Sequence, residues 1–427
     1  MPIGGNSVMN DLYAIKVSEI WARLKGERAS YWLICAYLFL EYVRPQSVYP
    51  GLDILPYAFI TVLLTFIAYV LEGNHQGVKN PENKLVVFFL LTILASSVVA
   101  YSPSVSFGNL QIFITWLVIY YLIIHVVNTE QRFFIFFLSY LLYNFKMSQH
   151  GFLSWASVGF QFRDWGVTGA PGWFQNSGEF GIELCIFLPL SIYFIVSLKQ
   201  HWGKLKLLFF LLLPFTAIAS VIATSSRGAL VGSAAALLWM VGKSKARIKA
   251  LLAISIILAG VYSYIPPEQY KRLQESGEDR TSVARLTRWK AGAEMMDEHP
   301  YLGIGFANWM TYTRDYYPGQ EMGLPHNIFI DAGAELGYTG LTFFGLMILY
   351  TLVNNYRTRK LAAAIDNKFI FNTAHGLDAA LIGFIVSGSF VSVLYYPYFW
   401  INMAFTVALN NVANKESALA APKSVSE

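Results

Sequence analysis

Long apolar runs separated by short polar joints dominate the chain. Runs near the ~20 residues that cross a bilayer as a helix fall at about 31–43, 54–71, 84–101, 110–127, 132–147, 179–198, 205–224, 228–242, 249–265, 326–353, 375–394 and 397–413. That makes about twelve predicted helices, the first and eighth of them short. The fold class this pattern defines is an all-α polytopic integral membrane protein. Residues 1–30 follow a different pattern. Tyr13, Val17, Ile20, Trp21 and Leu24 share one helical face while Lys16, Arg23 and Lys25 lie elsewhere, as in an amphipathic helix resting on the inner leaflet. Residues 31–413 form one membrane domain, and 414–427 read as a disordered cytoplasmic tail.

Two polar excursions interrupt the spans. The first, about 148–178, is rich in glycine and aromatics (Trp155, Phe160, Trp165, Trp173). The second, 266–325, is the long one. Within it Ser282 predicts the N-cap of a helix running to about Glu298. Leu286, Trp289, Ala293 and Met296 would form its apolar stripe, with Arg285 and Arg288 one turn apart along the edge. His299-Pro300 ends that helix, and Gly303 and Gly305 allow a tight turn. No internal repeat occurs at a fixed period.

Composition agrees with the pattern: 55 % of residues are hydrophobic and 13 % charged, against about 25 % charged in soluble domains. The net charge of +5 reports orientation in such a chain, not nucleic-acid binding. With the N-terminus inside, the inner joints hold Lys16, Arg23, Lys25, Arg28, Lys79, Lys84, Arg132, Lys199, Lys204, Lys206, Lys243, Lys245, Arg247, Lys249, Arg357, Arg359, Lys360, Lys368, Lys415 and Lys423. The short outer joints hold only Arg44, Lys146, Arg163 and Arg227. Both termini are therefore expected in the cytoplasm, with Arg227 and the 266–325 loop outside. The polar first ~30 residues lack the features of a cleavable signal peptide. Cys35 and Cys185 sit inside apolar runs, which suits neither a disulfide framework nor a zinc site.

Candidate chemistry gathers at the outer joints. Arg227, in the Ser225-Ser226-Arg227-Gly228 turn, reads either as an anion ligand or as an arginine snorkelling to the interface or paired to a carboxylate. Gly228 would permit close backbone approach, and the two serines add donors. Arg285 and Arg288 could fork onto a diphosphate, or belong to a solvated helix face on which Lys290 and Glu294 pair. His326, between Pro325 and Asn327 at a span start, is either a base and hydrogen-bonding group or a helix cap. Behind it Asn327, Asp331, Glu335 and Thr339 make a polar stripe, read as interhelical glue. Glu183 and Asp378 are intramembrane acids and functional suspects by position. Asp297-Glu298-His299 point apart on a helix. No nucleotide-sugar or metal motif occurs, so no cofactor and no metal are expected.

Taken together these residues resemble the O-antigen ligase and O-antigen polymerase superfamily of membrane glycosyltransferases. The matching pieces are Ser226-Arg227-Gly228-Ala229-Leu230, Arg285-Leu286-Thr287-Arg288-Trp289, His299-Pro300-Tyr301-Leu302-Gly303-Ile304-Gly305, and Pro325-His326-Asn327 with Glu335-Leu336-Gly337 and Gly340-Leu341 behind it. Gly172-Trp173-Phe174 with Asn176 also fits. The resemblance covers about 165–350. It implies a GT-C-like membrane fold in the bacterial inner membrane. It also implies an inverting, metal-independent transfer of a glycan from undecaprenyl diphosphate to an acceptor hydroxyl at the periplasmic face. Arg227 and Arg285 would hold the diphosphate and His326 would serve the acceptor or leaving group. Arg288 joins them by helical spacing, with Gly228, Asn327 and Trp289 in support. The acceptor would be a glycolipid such as lipid A-core, or a glycan. Ligase stands ahead of polymerase, with a protein O-oligosaccharyltransferase or a transporter of lipid-linked glycans behind. Absence of repeats and cations gathered at one surface argue against the transporter.

Overall fold

In the computed structural model the described residues are 4–73, 77–162, 166–244, 246–249, 251–252, 255, 280–319 and 321–420. The predicted span at 249–265 lies almost wholly outside them, as do Arg163, Trp165, Lys245 and Lys423. Helices α1 (Gly4–Tyr13), α2 (Val17–Lys25), α3 (Ala29–Tyr42), α4 (Pro45–Val48), α5 (Tyr57–Leu71), α6 (Pro81–Val98), α7 (Pro103–Val126) and α8 (Glu130–Ser157) form the first half. The second half is α9 (Ser177–Leu198), α10 (Lys204–Ala223), α11 (Arg227–Lys243), α12 (Arg280–Glu298), α13 (Trp309–Tyr316), α14 (Ile328–Ala364), α15 (Lys368–Gly388) and α16 (Pro397–Ala420). No strand occurs among the described residues.

Each of the other predicted spans falls on a helix, but what the structure shows is coarser than twelve crossings. Six helices, α6, α7, α9, α10, α14 and α15, are long and apolar enough to cross a membrane. This is a polytopic, all-helical membrane protein. α9 and α16 lie at its centre. Nearly every residue of α16 from Pro397 to Ala413 is buried, as expected of helices that are apolar all round.

Alternate helix ends collect at two opposite ends of the bundle. At one, Trp202 Nε1 and Lys206 Nζ donate to the carbonyls of Tyr13 and Ala14, Arg132 pairs with Glu27, and Asn367 donates to Glu130. The inner-joint cations named above that are described sit at this end by element order. At the other, Tyr101 N–H donates to Ile304, Val167 N–H to Ala223 and Trp116 Nε1 to Tyr395. The second end carries the candidate site.

Two boundaries differ from expectation. The N-terminal amphipathic helix is split at Ile15, whose φ is 51°. Tyr13 turns inward onto Glu130, while Val17 and Trp21 of α2 stay 77 % and 50 % exposed. The last helix continues to Ala420, so the expected disordered tail is helical over 415–420, leaving 421–427 outside the described residues.

Candidate functional site

The second end is built on α12 and α14. Helix α12 already includes Arg280 and Thr281, so Ser282 lies inside it and is not its N-cap. Its buried face is Ala291, Gly292, Met295 and Met296, and Leu286, expected in the stripe, is 53 % exposed. Small residues set this rotation. Gly292 meets Ile330, and Gly333 meets the Met296 sulfur, so closely that a Cβ at either glycine would overlap them at 2.3 and 2.1 Å. Close helix approach outweighs the larger apolar side chains in choosing the face. Arg285, Arg288 and Trp289 stay half-buried on the flank.

That flank holds the segment leading to His326. Trp289 Nε1 donates to the Pro325 carbonyl at 2.8 Å. The Arg288 guanidinium reaches the carbonyls of Glu321, Leu324 and Met322 at 3.4, 3.4 and 3.5 Å. These are long for N–H···O bonds, so Arg288 supports the loop without being committed to it, and an anionic acceptor would compete well for its donors.

The segment after His299 docks into a break in α14. Gly337 has φ 67° and ψ −174°, a region open essentially to glycine alone. The break frees backbone groups that the loop then pairs. Ile304 and Gly305 N–H donate to the carbonyls of Ala334 and Glu335 at 2.9 and 3.1 Å, and Tyr338 N–H donates to Pro300 at 2.7 Å. The Glu335 carboxylate accepts from Ala307 N–H, Trp309 N–H and the Tyr395 hydroxyl at 2.9, 3.2 and 3.2 Å. At Glu335 the stripe's carboxylate thus ties a loop, while its backbone carbonyl also accepts from Ser96 Oγ of α6 at 2.9 Å.

His326 follows at the mouth of α14. Its backbone is left-handed (φ 53°), and its N–H donates to Ser392 Oγ at 2.8 Å. The cap of α14 is its neighbour: Asn327 Oδ1 accepts from Phe329 and Ile330 N–H at 2.9 and 3.3 Å. His326 is therefore not the cap, and its imidazole makes no hydrogen bond among the described residues. Burial first, then the nearby Arg285 and Arg288 cations, lower its pKa to about 4. It is neutral at physiological pH, with ring nitrogens available.

Arg227 starts α11, half-buried. Ser226 is the cap and accepts from Ala229 N–H. Ser225 is left-handed (φ 53°), with a buried hydroxyl that has no partner among the described residues. The turn between α15 and α16 joins this helix start to His326. Phe390 lies against Gly228, where a Cβ would sit 2.9 Å from the phenyl Cβ, and Ser392 holds His326. Gly228 thus makes room for the neighbouring turn at Phe390. The Asn176 capping box on α9, completed by Glu179, borders the same place: a Cβ on Gly178 would lie 3.4 Å from Val391 and 3.9 Å from Ser226 Oγ.

The other acidic suspects have protein partners, though Glu183 Oε2 is buried with none among the described residues. Asp378 pairs with Arg359 at 2.5 Å and accepts from Asn355, and Glu183 accepts from Tyr140 at 2.6 Å. Asp297 and Glu298 accept from different tyrosines, Tyr338 and Tyr312. Glu294 accepts from the Tyr317 hydroxyl. Ser392 was illegible in the sequence, since a serine 66 residues from its partner carries no local signal.

The structure thus defines a multi-pass membrane protein with arginines and a neutral histidine gathered at one end. Residues 207–345 match the family described as O-Antigen ligase (Wzy_C). Over 159 residues it is 30 % identical to an O-antigen ligase of Pseudomonas aeruginosa, an alignment covering 37 % of this chain and 38 % of that protein. The match therefore spans well under half of that relative's length. The family segment holds Arg227, Arg285, Arg288, Trp289, His326 and Asn327, whereas Ser392 lies beyond it.

Proposed function

We propose that this protein transfers a glycan from an undecaprenyl diphosphate carrier to an acceptor hydroxyl, inverting the anomeric centre without a metal. The observation that carries this is the electrostatic coupling of Arg285 and Arg288 to a buried, neutral His326 that is held by Ser392 and relieved of capping by Asn327. The acceptor oxygen attacks the anomeric carbon and its proton passes to an imidazole nitrogen of His326. The bond from that carbon to the diphosphate oxygen breaks, and the departing electron pair stays on the diphosphate. Arg227 and Arg285 take up that developing charge, joined by Arg288 as it leaves its long carbonyl contacts. Binding the dianion also offsets the arginines' effect on His326 and raises its basicity when the acceptor arrives.

The ligase reading, with a glycolipid such as lipid A-core as acceptor, stands ahead of polymerase. The positive-inside count supports a site end in the periplasm and both termini in the cytoplasm of a bacterial inner membrane, with about twelve spans. A purified protein in lipid vesicles, given carrier-linked glycan and glycolipid acceptor, tests this. Acceptor bearing the whole glycan, with free carrier diphosphate released, is the expected product. Lengthened carrier-linked glycan would mean a polymerase, and movement of the donor across the bilayer without transfer would mean a transporter.

A further inference from the structure

The segment Glu41-Tyr42-Val43-Arg44-Pro45-Gln46 takes no part in the site above, yet it leaves several buried polar atoms unmet side by side. Helix α3 ends at Tyr42 and Pro45 begins α4; between them Arg44 is left-handed, with φ 49°. Gly172 closes over the guanidinium, where a Cβ would lie 1.6 Å from Nη1. Beside it a cavity of about 280 Å³ opens between α3, α5 and α7, walled by Tyr37, Glu41, Arg44, Gln46, Trp116 and Trp173. Tyr37, Glu41 and Gln46 are 1 %, 6 % and 6 % exposed. Tyr37 OH, Glu41 Oε1, Gln46 Oε1 and Arg44 Nε have no hydrogen-bond partner among the described residues. Buried polar groups are nearly always paired, so four unpaired ones around one opening indicate a ligand that pairs them.

The cavity lies at the site end. The Trp173 ring stands 4.7 Å from that of Tyr396, in the same turn whose Ser392 holds His326. The Trp173 carbonyl accepts from the Tyr398 hydroxyl at 2.6 Å. Its chemistry is mixed. A carboxylate and an amide oxygen accept, a guanidinium donates, a phenol does both, and two indoles offer flat apolar faces. A bare phosphate would be repelled by Glu41, and an acyl chain would leave the polar atoms unmet. The volume, just under the ~300–1,000 Å³ of drug-sized sites, suits a single ring with hydroxyls on its edge and C–H groups on its faces.

We propose that this cavity is a sugar-binding subsite, seating one sugar unit of a glycan substrate while that substrate reacts at His326. The subsite rests on the transfer function proposed above. The sugar belongs to the donor glycan or to the acceptor, and the test separates the two. The full chain in lipid nanodiscs is titrated with two fractions from a strain lacking it, carrier-linked glycan and total glycolipid, with binding read by tryptophan fluorescence. Glu41→Gln and Arg44→Lys should each weaken binding of one fraction at least tenfold and raise KM for it by a similar factor, with a smaller change in kcat. The fraction affected identifies the source of the sugar. Ala58→Trp, on the cavity wall, fills the space while leaving the polar cluster intact, and should show the same loss if either polar variant fails to fold. His326→Ala should bind both fractions as the parent does. A chain that binds through this cavity but never transfers would therefore remove the transfer function and leave the subsite standing. Parental affinity for both fractions in folded Glu41→Gln and Ala58→Trp overturns the subsite.

Discussion

At the residue scale, His326 is separated from a structural role by its neighbour. Because Asn327 supplies the cap, His326→Asn should fold and insert normally. It should nonetheless lose the ~10²–10⁴-fold that general-base assistance typically supplies. An Asn variant with parental turnover would remove His326 from the chemistry. The pKa of about 4 sets a pH signature. Neutral imidazole is the working form and persists down to that value, so kcat/KM, which reports the free enzyme, should stay level from pH 7 to about 5 and fall only near 4. A limb near the ordinary histidine pKa of ~6.5 would show that neither burial nor the two arginines hold the imidazole neutral. The arginines are tested by geometry at constant charge. Arg227→Lys and Arg285→Lys keep the cation but lose the fork, and each should cut transfer severely with normal membrane insertion, while Lys290→Ala stays near parental. On the proposal that these cations meet the diphosphate, transfer should persist in excess EDTA; rescue of a chelated preparation by Mg²⁺ would contradict that.

At the element scale, the decisive feature is the break in α14. Gly337→Ala places a Cβ 2.5 Å from the Tyr301 carbonyl carbon, in a backbone region that costs a non-glycine residue about 1–3 kcal/mol before any clash. Gly345, eight residues on in the same helix, has nothing within 4 Å of its would-be Cβ, and alanine there should be neutral or mildly stabilising. Thermal unfolding in detergent should therefore show a clear drop for Gly337→Ala and none for Gly345→Ala. Amide exchange at Ile304 and Gly305 should rise only in the first, because those two N–H groups bond to the carbonyls the break exposes. Equal behaviour of the two variants would mean that the break does not hold the loop.

At the scale of the whole molecule, the helix ends divide into a cation-rich end and a site end, and one prediction fixes their sides. Reporter fusions at Lys368, the first residue of α15, and at Gly319, in the loop before His326, should report the cytoplasm and the periplasm respectively. Both fusions on one side would undo the orientation and the proposed access of the site to a periplasmic acceptor.

The sequence alone determined what depends on local composition. Helix existence and approximate span limits followed from the length of apolar runs, and the expected orientation from the basic joints. The resemblance to the O-antigen ligase family rested on short motifs, Arg227, Arg285, Arg288 and His326 among them, standing in order. It also named Asn327 beside His326, but not which of the two caps α14, because both are good helix-start residues by type. Tertiary structure decided what depends on remote partners. The face of α12 turned on how closely Gly292 and Gly333 admit α14 and α12, which no periodicity of hydrophobic residues reveals. The role of Glu335 turned on amides 28 and 26 residues upstream, and the seat of His326 on Ser392. Steric fit and hydrogen-bond pairing belong to two segments at once, so neither segment's sequence encodes them alone.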